Sequence, residues 1–498
     1  MTIPLLPARI MYVSFLTTAG MAWCAFSAQT SPIRLGGSNA IRIADPYVAD
    51  RQDIYPRGRL VGQRLPMTTD QSTAYPSGRR RGSALILVLL LCLGTRLAMN
   101  VRTMHNPPYA DEVQYDAIAY NIAEGNGFSQ GNPPKPTAVR APITPYFAAA
   151  IYRLGGHHPE NVRLAEIFID TLNCALVFLL GLLLSGTLAI AFSAAAIYAV
   201  HPLFPYIAGH IYSDQLFTLL FLSALILLLV EEKRHSLWLL GLSAAAMALS
   251  MLTRPTSMLF PAVIVGLLYL QGLRTGKPWL GRSVIYLAVI LLVLSPWIVR
   301  NFIVFKAFVP LTTLGGENLY VGAGPAPGGI TVATVNSAGV PREIHNRIKG
   351  LSEPDVNRIL TGEAIKLIRA HPLHWCNLCV QKFFKLWLRV FRPGWATPLG
   401  VIMALGNASI LALAWLGLRR LKWPLANQLA IATFVYFSVL HMVMCAELRY
   451  SVPAYAYLLP FTAIGMFGLL DHFRPAQEPQ PDDERSSGAS HQRAKSTV

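Results

Sequence analysis

The chain carries a series of almost wholly apolar windows, most of them near 20 residues long, and a helix of about 20 residues reaches across the hydrocarbon of a bilayer. They fall at 83–99, 162–184, 186–200, 214–230, 236–252, 257–270, 284–299, 399–418, 425–445 and 453–470 of its 498 residues. Lipid offers no partner to backbone N–H and C=O groups, so such windows span as helices. The expectation is an all-α polytopic membrane protein with about ten transmembrane helices and two large outer loops carrying short interfacial helices. The windows at 186–200 and 257–270 are the short ones. Composition agrees, since 53% of residues are hydrophobic and 13% charged, against roughly 25% charged in soluble domains.

A net charge of +17 would point to nucleic acid in a soluble protein. Here it sorts by loop. Arg79, Arg80 and Arg81 precede the first window, and further basic clusters stand at 231–235, 274–282, 419–422 and after 471. Alternation from an inside start puts all of them on one side, as the positive-inside rule requires. The expected location is a cell inner membrane, multi-pass, with both termini cytoplasmic and no nucleic-acid partner. Residues 1–82 read as a disordered basic leader, with seven Arg and no Lys in the first 66. Cleaving the apolar stretch 10–28 as a signal peptide would leave the triple arginine outside, whereas a start at Met67 fits the layout. The remaining divisions are an N-terminal transmembrane module at 83–300 with a first outer loop at 100–161, a second outer loop at 301–398, C-terminal helices at 399–470 and a disordered cytoplasmic tail at 471–498. Within the second loop, 375–390 mixes Trp, Phe and Leu with Lys382, Lys385 and Arg389. That suits either a helix in the headgroup plane or an ordinary amphipathic packing helix.

The first outer loop holds Asp111, Glu112, Asp116 and Glu124 with no cation among them. Helical spacing gives this stretch an apolar stripe of Tyr115, Ile118, Ala119 and Ile122 and puts Asp111 and Glu112 in the first turn. The macrodipole favours carboxylates there, so capping is the bland reading. Glu112 and Asp116, however, are like charges at i and i+4, an unfavourable spacing unless something neutralises them. Arg140, Arg254, Arg300 and Arg449 stand at predicted outer ends of spans, against the sidedness of the other cations. Singly each reads as a snorkelling anchor; together they suit a lipid phosphate, which guanidinium matches in shape.

The runs YADEVQYDAIAYNIAEGNGFS (109–129), RAPITPYFAAAIYRLGG (140–156), HPLFPYIAGHIYSDQLF (201–217), LSMLTRPTSMLFP (249–261) and SPWIVRNFIVFKAFVPLTTLGGENLYVGAGP (295–325) resemble the glycosyltransferase family 39 type of membrane enzyme, in the GT-C superfamily. This family includes the dolichyl-phosphate-mannose protein mannosyltransferases. The resemblance runs from about 83 to 470. It implies that the acidic pair Asp111 and Glu112 is catalytic, with the Asp as the catalytic residue, and that Asp214 stands where the family often has Glu. It also implies a cavity over the first loop and a C-terminal part that varies with the acceptor. Tyr115, Asp116, Arg140, Asp214, Arg254, Arg300, Asn318 and Arg449 are the substrate-binding candidates. The expected partners are a polyprenyl-phosphate-linked sugar donor and a lipid, glycan or protein acceptor.

A phosphate-linked sugar has a leaving group stable as an anion, so a single base suffices: Asp111 takes the proton of an acceptor hydroxyl as it attacks the anomeric carbon, with inversion. Guanidiniums or a divalent cation would stabilise the charge developing on the phosphate. No residues are assigned as metal ligands; Glu112 and Asp116 alone offer too few oxygens for a hard cation. His371, His374, Cys376 and Cys379 in HPLHWCNLC have zinc-type atoms but share a helical face only roughly, so packing or exposure is the better reading. The rival functions are a transporter or lipid flippase, which would place ionisable groups nearer the membrane midplane, and an O-antigen ligase or polymerase type of enzyme using a diphosphate-linked donor.

Overall fold

The structure, a computed structural model, describes residues 78–276, 278–324, 341–388 and 397–473. The leader before Gly78 with its alternative start at Met67, the tail from 474, Arg389 and most of the Gly-rich stretch after 324 lie outside the described residues.

In chain order the helices are α1 (Gly78–Asn100), α2 (Asp111–Ala123), α3 (Ile143–Gly155), α4 (Pro159–Ser185), α5 (Leu188–Val200), α6 (Leu203–Ala208), α7 (Asp214–Arg234), α8 (Leu237–Thr253), α9 (Phe260–Thr275), α10 (Trp279–Phe305), α11 (Gly315–Gly322), α12 (Arg342–Ile348), α13 (Glu353–Ala370), α14 (Pro372–Leu388), α15 (Pro398–Arg420), α16 (Pro424–Val443) and α17 (Val452–His472). All ten apolar windows are helices. Eight are long and apolar enough to cross a membrane, α9 together with the 3₁₀ turn before it, while α5 and α8 are the shorter pair. α1 starts at Gly78, so Arg79, Arg80 and Arg81 form its first turn rather than the end of a leader.

The most enclosed helix is α17, with 78% of its apolar window buried against 22% for α10 and α15. Its neighbour α15 approaches to backbone contact: a Cβ at Gly417 would overlap the Phe461 carbonyl oxygen, and one at Gly465 the Leu413 carbonyl oxygen. Small residues allow such approach where lipid supplies no hydrophobic drive between helices. Polar side chains inside the bundle are paired across helices. The Arg96 guanidinium of α1 meets Asp170 of α4 at 2.8 Å and donates to the carbonyls of Tyr198 and Ala199, which end α5. At the opposite end, Arg282 pairs with Glu231, Gln271 donates to Glu232 at 2.6 Å, and Trp423 donates to the same Glu232.

The segments at 100–161 and 301–398 meet through Glu353, which starts α13. Its carboxylate accepts from Thr137 Oγ1 and, at 2.9 Å each, from the Ala138 N–H and Thr313 Oγ1. The Trp-rich stretch at 375–390, so far as it is described, is a packing helix. Lys382 of α14 is buried and donates to the carbonyls of Gly322, Met442 and Met444 at 2.6–2.9 Å, and Trp387 is buried with its N–H on Ser438. Desolvating that lysine is tolerable because it closes the carbonyl ends of α11 and α16.

Because Gly417 has no room for a methyl group, Gly417→Ala should destabilise the α15 and α17 pair by about 1–3 kcal/mol. A lower thermal midpoint of the detergent-solubilised protein, read by circular dichroism, checks this.

Candidate active site

Asp111 is the first residue of α2, and its position is set by the residue beside it. Ala110 has φ of 53°, in the left-handed region that a non-glycine residue occupies at a cost. Glu112 holds this turn. Its carboxylate accepts from the N–H of Tyr109 at 3.1 Å and of Ile211 at 2.8 Å, and pairs with Arg163 of α4 at 3.1 and 3.2 Å. Arg163 also donates to the carbonyls of Met104 and Asn106, at 2.6 Å each, and so fastens the strap between α1 and α2. Glu112 is 2% exposed. Its lone pairs are spent on this clamp and it is not among the residues lining the cavity described below, so its geometry is that of a positioning residue.

Asp111 itself faces the cavity. Its Oδ1 accepts from Arg140 Nη2 at 2.6 Å and its Oδ2 from Arg449 Nη2. Arg449 extends its other terminal nitrogen to within 3.6 Å of Asp214 Oδ2, and Arg254 pairs with Asp214 Oδ1. Three guanidiniums therefore alternate with two carboxylates in one chain. Asp214, at the start of α7, is 1% exposed and stands behind the arginines. Burial alone would raise the Asp111 carboxyl; Arg140 and Arg449 outweigh it and hold the group well below the usual carboxylate range. Aromatic rings carry the guanidiniums: Tyr115 lies 4.8 Å from Arg140, Tyr212 4.2 Å from Arg449 and Tyr450 4.2 Å from Arg254.

These groups border a cavity of about 270 Å³ whose wall includes Asp111, Tyr115, Arg140, Arg254, Asn318 and Arg449. Six of the sequence candidates thus meet around one space, although they come from loops up to 338 residues apart. Besides Glu112 and Asp214, two further candidates do not line it. Asp116 turns toward α3, accepting from Tyr152 Oη at 2.6 Å and contacting His157 Nε2 at 2.8 Å. Arg300 donates to the carbonyls of Phe128 and Thr137 at 2.8 and 2.7 Å. It braces the segment from which Arg140 projects, because Thr137 is also held by Glu353. Glu317, His441 and Tyr450 line the cavity and were not singled out from the sequence. Arg163 was missed too, although an arginine at an outer helix end was the signal that found the other four.

Among the described residues no group of three or more His, Cys, Asp or Glu could hold a metal ion. Glu112 and Asp116, the two carboxylates weighed for a divalent cation, are drawn into separate hydrogen-bond sets. In HPLHWCNLC, Cys379 is buried with its thiol on the Met442 carbonyl, and Cys376 is exposed.

Residues 139–299 match the family model of dolichyl-phosphate-mannose-protein mannosyltransferase. That segment contains Arg140, Arg163, Asp214 and Arg254, and stops short of Asp111 and Arg449. No curated protein matches the chain. Among solved structures, the oligosaccharyltransferase AglB from Archaeoglobus fulgidus, in complex with an inhibitory peptide and a dolichol-phosphate, is 16% identical, with a TM-score of 0.47 over 80% of this chain and 52% of its own. ArnT from Cupriavidus metallidurans, bound to undecaprenyl phosphate, is 14% identical, with a TM-score of 0.36 over 78% of this chain and 79% of its own. The chain thus spans about half the length of the archaeal protein.

Replacing Glu112 with Ala strands the buried Arg163 charge and two backbone N–H groups. Glu112→Ala should cost about 3–5 kcal/mol of stability. A large fall in thermal midpoint checks it.

Proposed function

We propose that this helical membrane protein, whose residues 139–299 carry the signature of the dolichyl-phosphate-mannose-protein mannosyltransferases, transfers a sugar from a polyprenyl-phosphate donor to an acceptor hydroxyl. The observation that carries the reading is an aspartate opening on a cavity between the guanidiniums of Arg140 and Arg449, with the Arg254 guanidinium also in the cavity wall. A carboxylate alone would suit many reactions, and an arginine cluster alone would suit any anion. Side by side they suit an anionic leaving group and a nucleophile that must lose a proton.

Arg254 and Arg449, with Arg140 behind Asp111, hold the donor phosphate and stabilise the charge it gains as the glycosidic C–O bond breaks. That electron pair leaves on a phosphate oxygen, so no acid is needed. The acceptor hydroxyl attacks the anomeric carbon from the opposite face as its proton passes to Asp111, and the anomeric configuration inverts. Tyr115 and Asn318 border the sugar, and Asp214 fixes the direction of two arginines. Glu112 serves the reaction by holding Asp111 in place. A divalent cation, if one is used, would share the phosphate charge with the arginines. The reaction takes place on the outer face of a cell inner membrane, with both termini cytoplasmic, and the acceptor is a lipid, glycan or protein.

In proteoliposomes supplied with polyprenyl-phosphate-linked mannose and other radiolabelled sugars, Asp111→Asn should lower transfer by at least about 100-fold. Arg254→Gln should chiefly weaken donor binding, by roughly 10–100-fold. Unchanged transfer by the Asp111→Asn protein contradicts the base assignment. Transfer by the wild type from diphosphate-linked donors alone favours the ligase type of enzyme, and transport without transfer favours a flippase.

A further inference from the structure

Among the described residues Arg449 is the one arginine that touches both acids, Asp111 through Nη2 and Asp214 through Nη1. It projects from the short 3₁₀ turn Leu448–Ser451, between the end of α16 and the start of α17. The arginines on either side of it in this series keep partners of their own. Arg140 has its Nε on Gln114 Oε1 at 2.8 Å as well as a terminal nitrogen on Asp111, and Arg254 is bonded to Oδ1 of the buried Asp214 and lies against the Tyr450 ring. If Arg449 leaves, Asp111 keeps Arg140 and Asp214 keeps Arg254. It can therefore move without stranding either buried carboxylate, whose loss of all partners would be costly.

We propose that Arg449 exchanges Asp111 for the donor phosphate, so that the donor frees the base that its own transfer needs. This rests on the functional reading above and adds an order of events to it. With both oxygens engaged by guanidinium N–H groups, Asp111 is a poor acceptor for a hydroxyl proton, because a cation at each oxygen favours the unprotonated form. A phosphate competes for the same N–H groups, and guanidinium takes phosphate and carboxylate in the same forked geometry. Once Arg449 has turned to the phosphate, Asp111 Oδ2 is open and lies beside the group that will be attacked. Its affinity for a proton then rises, since one of two adjacent positive charges has been drawn off. The acceptor hydroxyl becomes reactive only after the donor is seated, which disfavours futile proton removal at an unloaded site.

The other charged or titratable groups near Asp111 leave this sign intact. Glu112 stays paired with Arg163, Tyr115 Oη is bonded to Ser213, and Tyr212 lies under the Arg449 guanidinium. Burial raises the Tyr212 phenol and lowers the His210 imidazole, so both remain neutral near pH 7.

The test uses the full chain in vesicles and infrared difference spectra of the carboxylate band, assigned by its loss in Asp111→Asn. The ligand is bare undecaprenyl phosphate, which has no sugar to transfer. Without it, Asp111 should protonate below the ordinary carboxyl range. With it, the protonation midpoint should rise by about one pH unit, a ten-fold gain in proton affinity. In Arg449→Gln the midpoint should start higher and stay put on adding the lipid; Arg449→Lys, which keeps the charge but spans fewer partners, should show a reduced shift and covers the case in which the glutamine variant fails to fold. Phosphate that binds with no upward shift in the wild type, or with an equal shift in Arg449→Gln, overturns the exchange alone. Failure of the wild type to bind undecaprenyl phosphate overturns the functional reading beneath it.

Discussion

A carboxylate set among membrane helices must meet a cation, and in this protein the cation is repeatedly a guanidinium. Arg96 meets Asp170, Arg163 meets Glu112, Arg282 meets Glu231 and Arg254 meets Asp214. Each pair joins segments distant in sequence, so the helices are ordered by where their charges can be neutralised as well as by apolar packing. Desolvation makes such pairs poor sources of net stability, yet breaking one leaves a buried charge, which gives them strong control over register. Glu166 of α4 stands apart, fully buried with no hydrogen-bond partner for either oxygen.

Asp111 obeys the same rule and departs from it in two ways. It is hydrogen-bonded by two guanidiniums, where Asp214 is bonded by Arg254 and only approached by Arg449 at 3.6 Å, and it borders a cavity. Doubling the partners keeps the acid ionised, and opening it to a cavity lets a ligand compete for those partners. The purely structural pairs around it, above all Glu112 with Arg163, supply the rigidity that such a competition needs. Glu353 and Arg300 do the same for Arg140, by holding the Ala138 N–H and the Thr137 carbonyl.

Apolar windows were legible because lipid leaves the backbone one choice, and each window became a helix within a few residues of its expected ends. Arg140, Arg254 and Arg449 were legible because they broke the charge rule that the remaining cations obey. What single residues do next was not. Asp111 reads as the base and Glu112 as the other half of a catalytic pair, but neighbours on a helix point about 100° apart, so Asp111 faces the cavity and Glu112 the clamp. Asp116 and Arg300 carry the right charge on the right side and are turned elsewhere by Tyr152 and by backbone carbonyls that no periodicity reveals. Asp170 and Arg96 lie inside apolar windows, where a lone charge looks like noise until its partner 74 residues away is known.

What occupies the space in front of Asp111 decides whether this carboxylate acts on a phosphate-linked sugar. A structure of the protein with a non-transferable phosphonate analogue of a polyprenyl-phosphate sugar would decide it. The phosphonate oxygens should lie within hydrogen-bond distance of Arg254 and Arg449, with the anomeric carbon turned toward Asp111. A phosphonate bound away from these arginines, or an anomeric carbon out of reach of Asp111, would contradict that role.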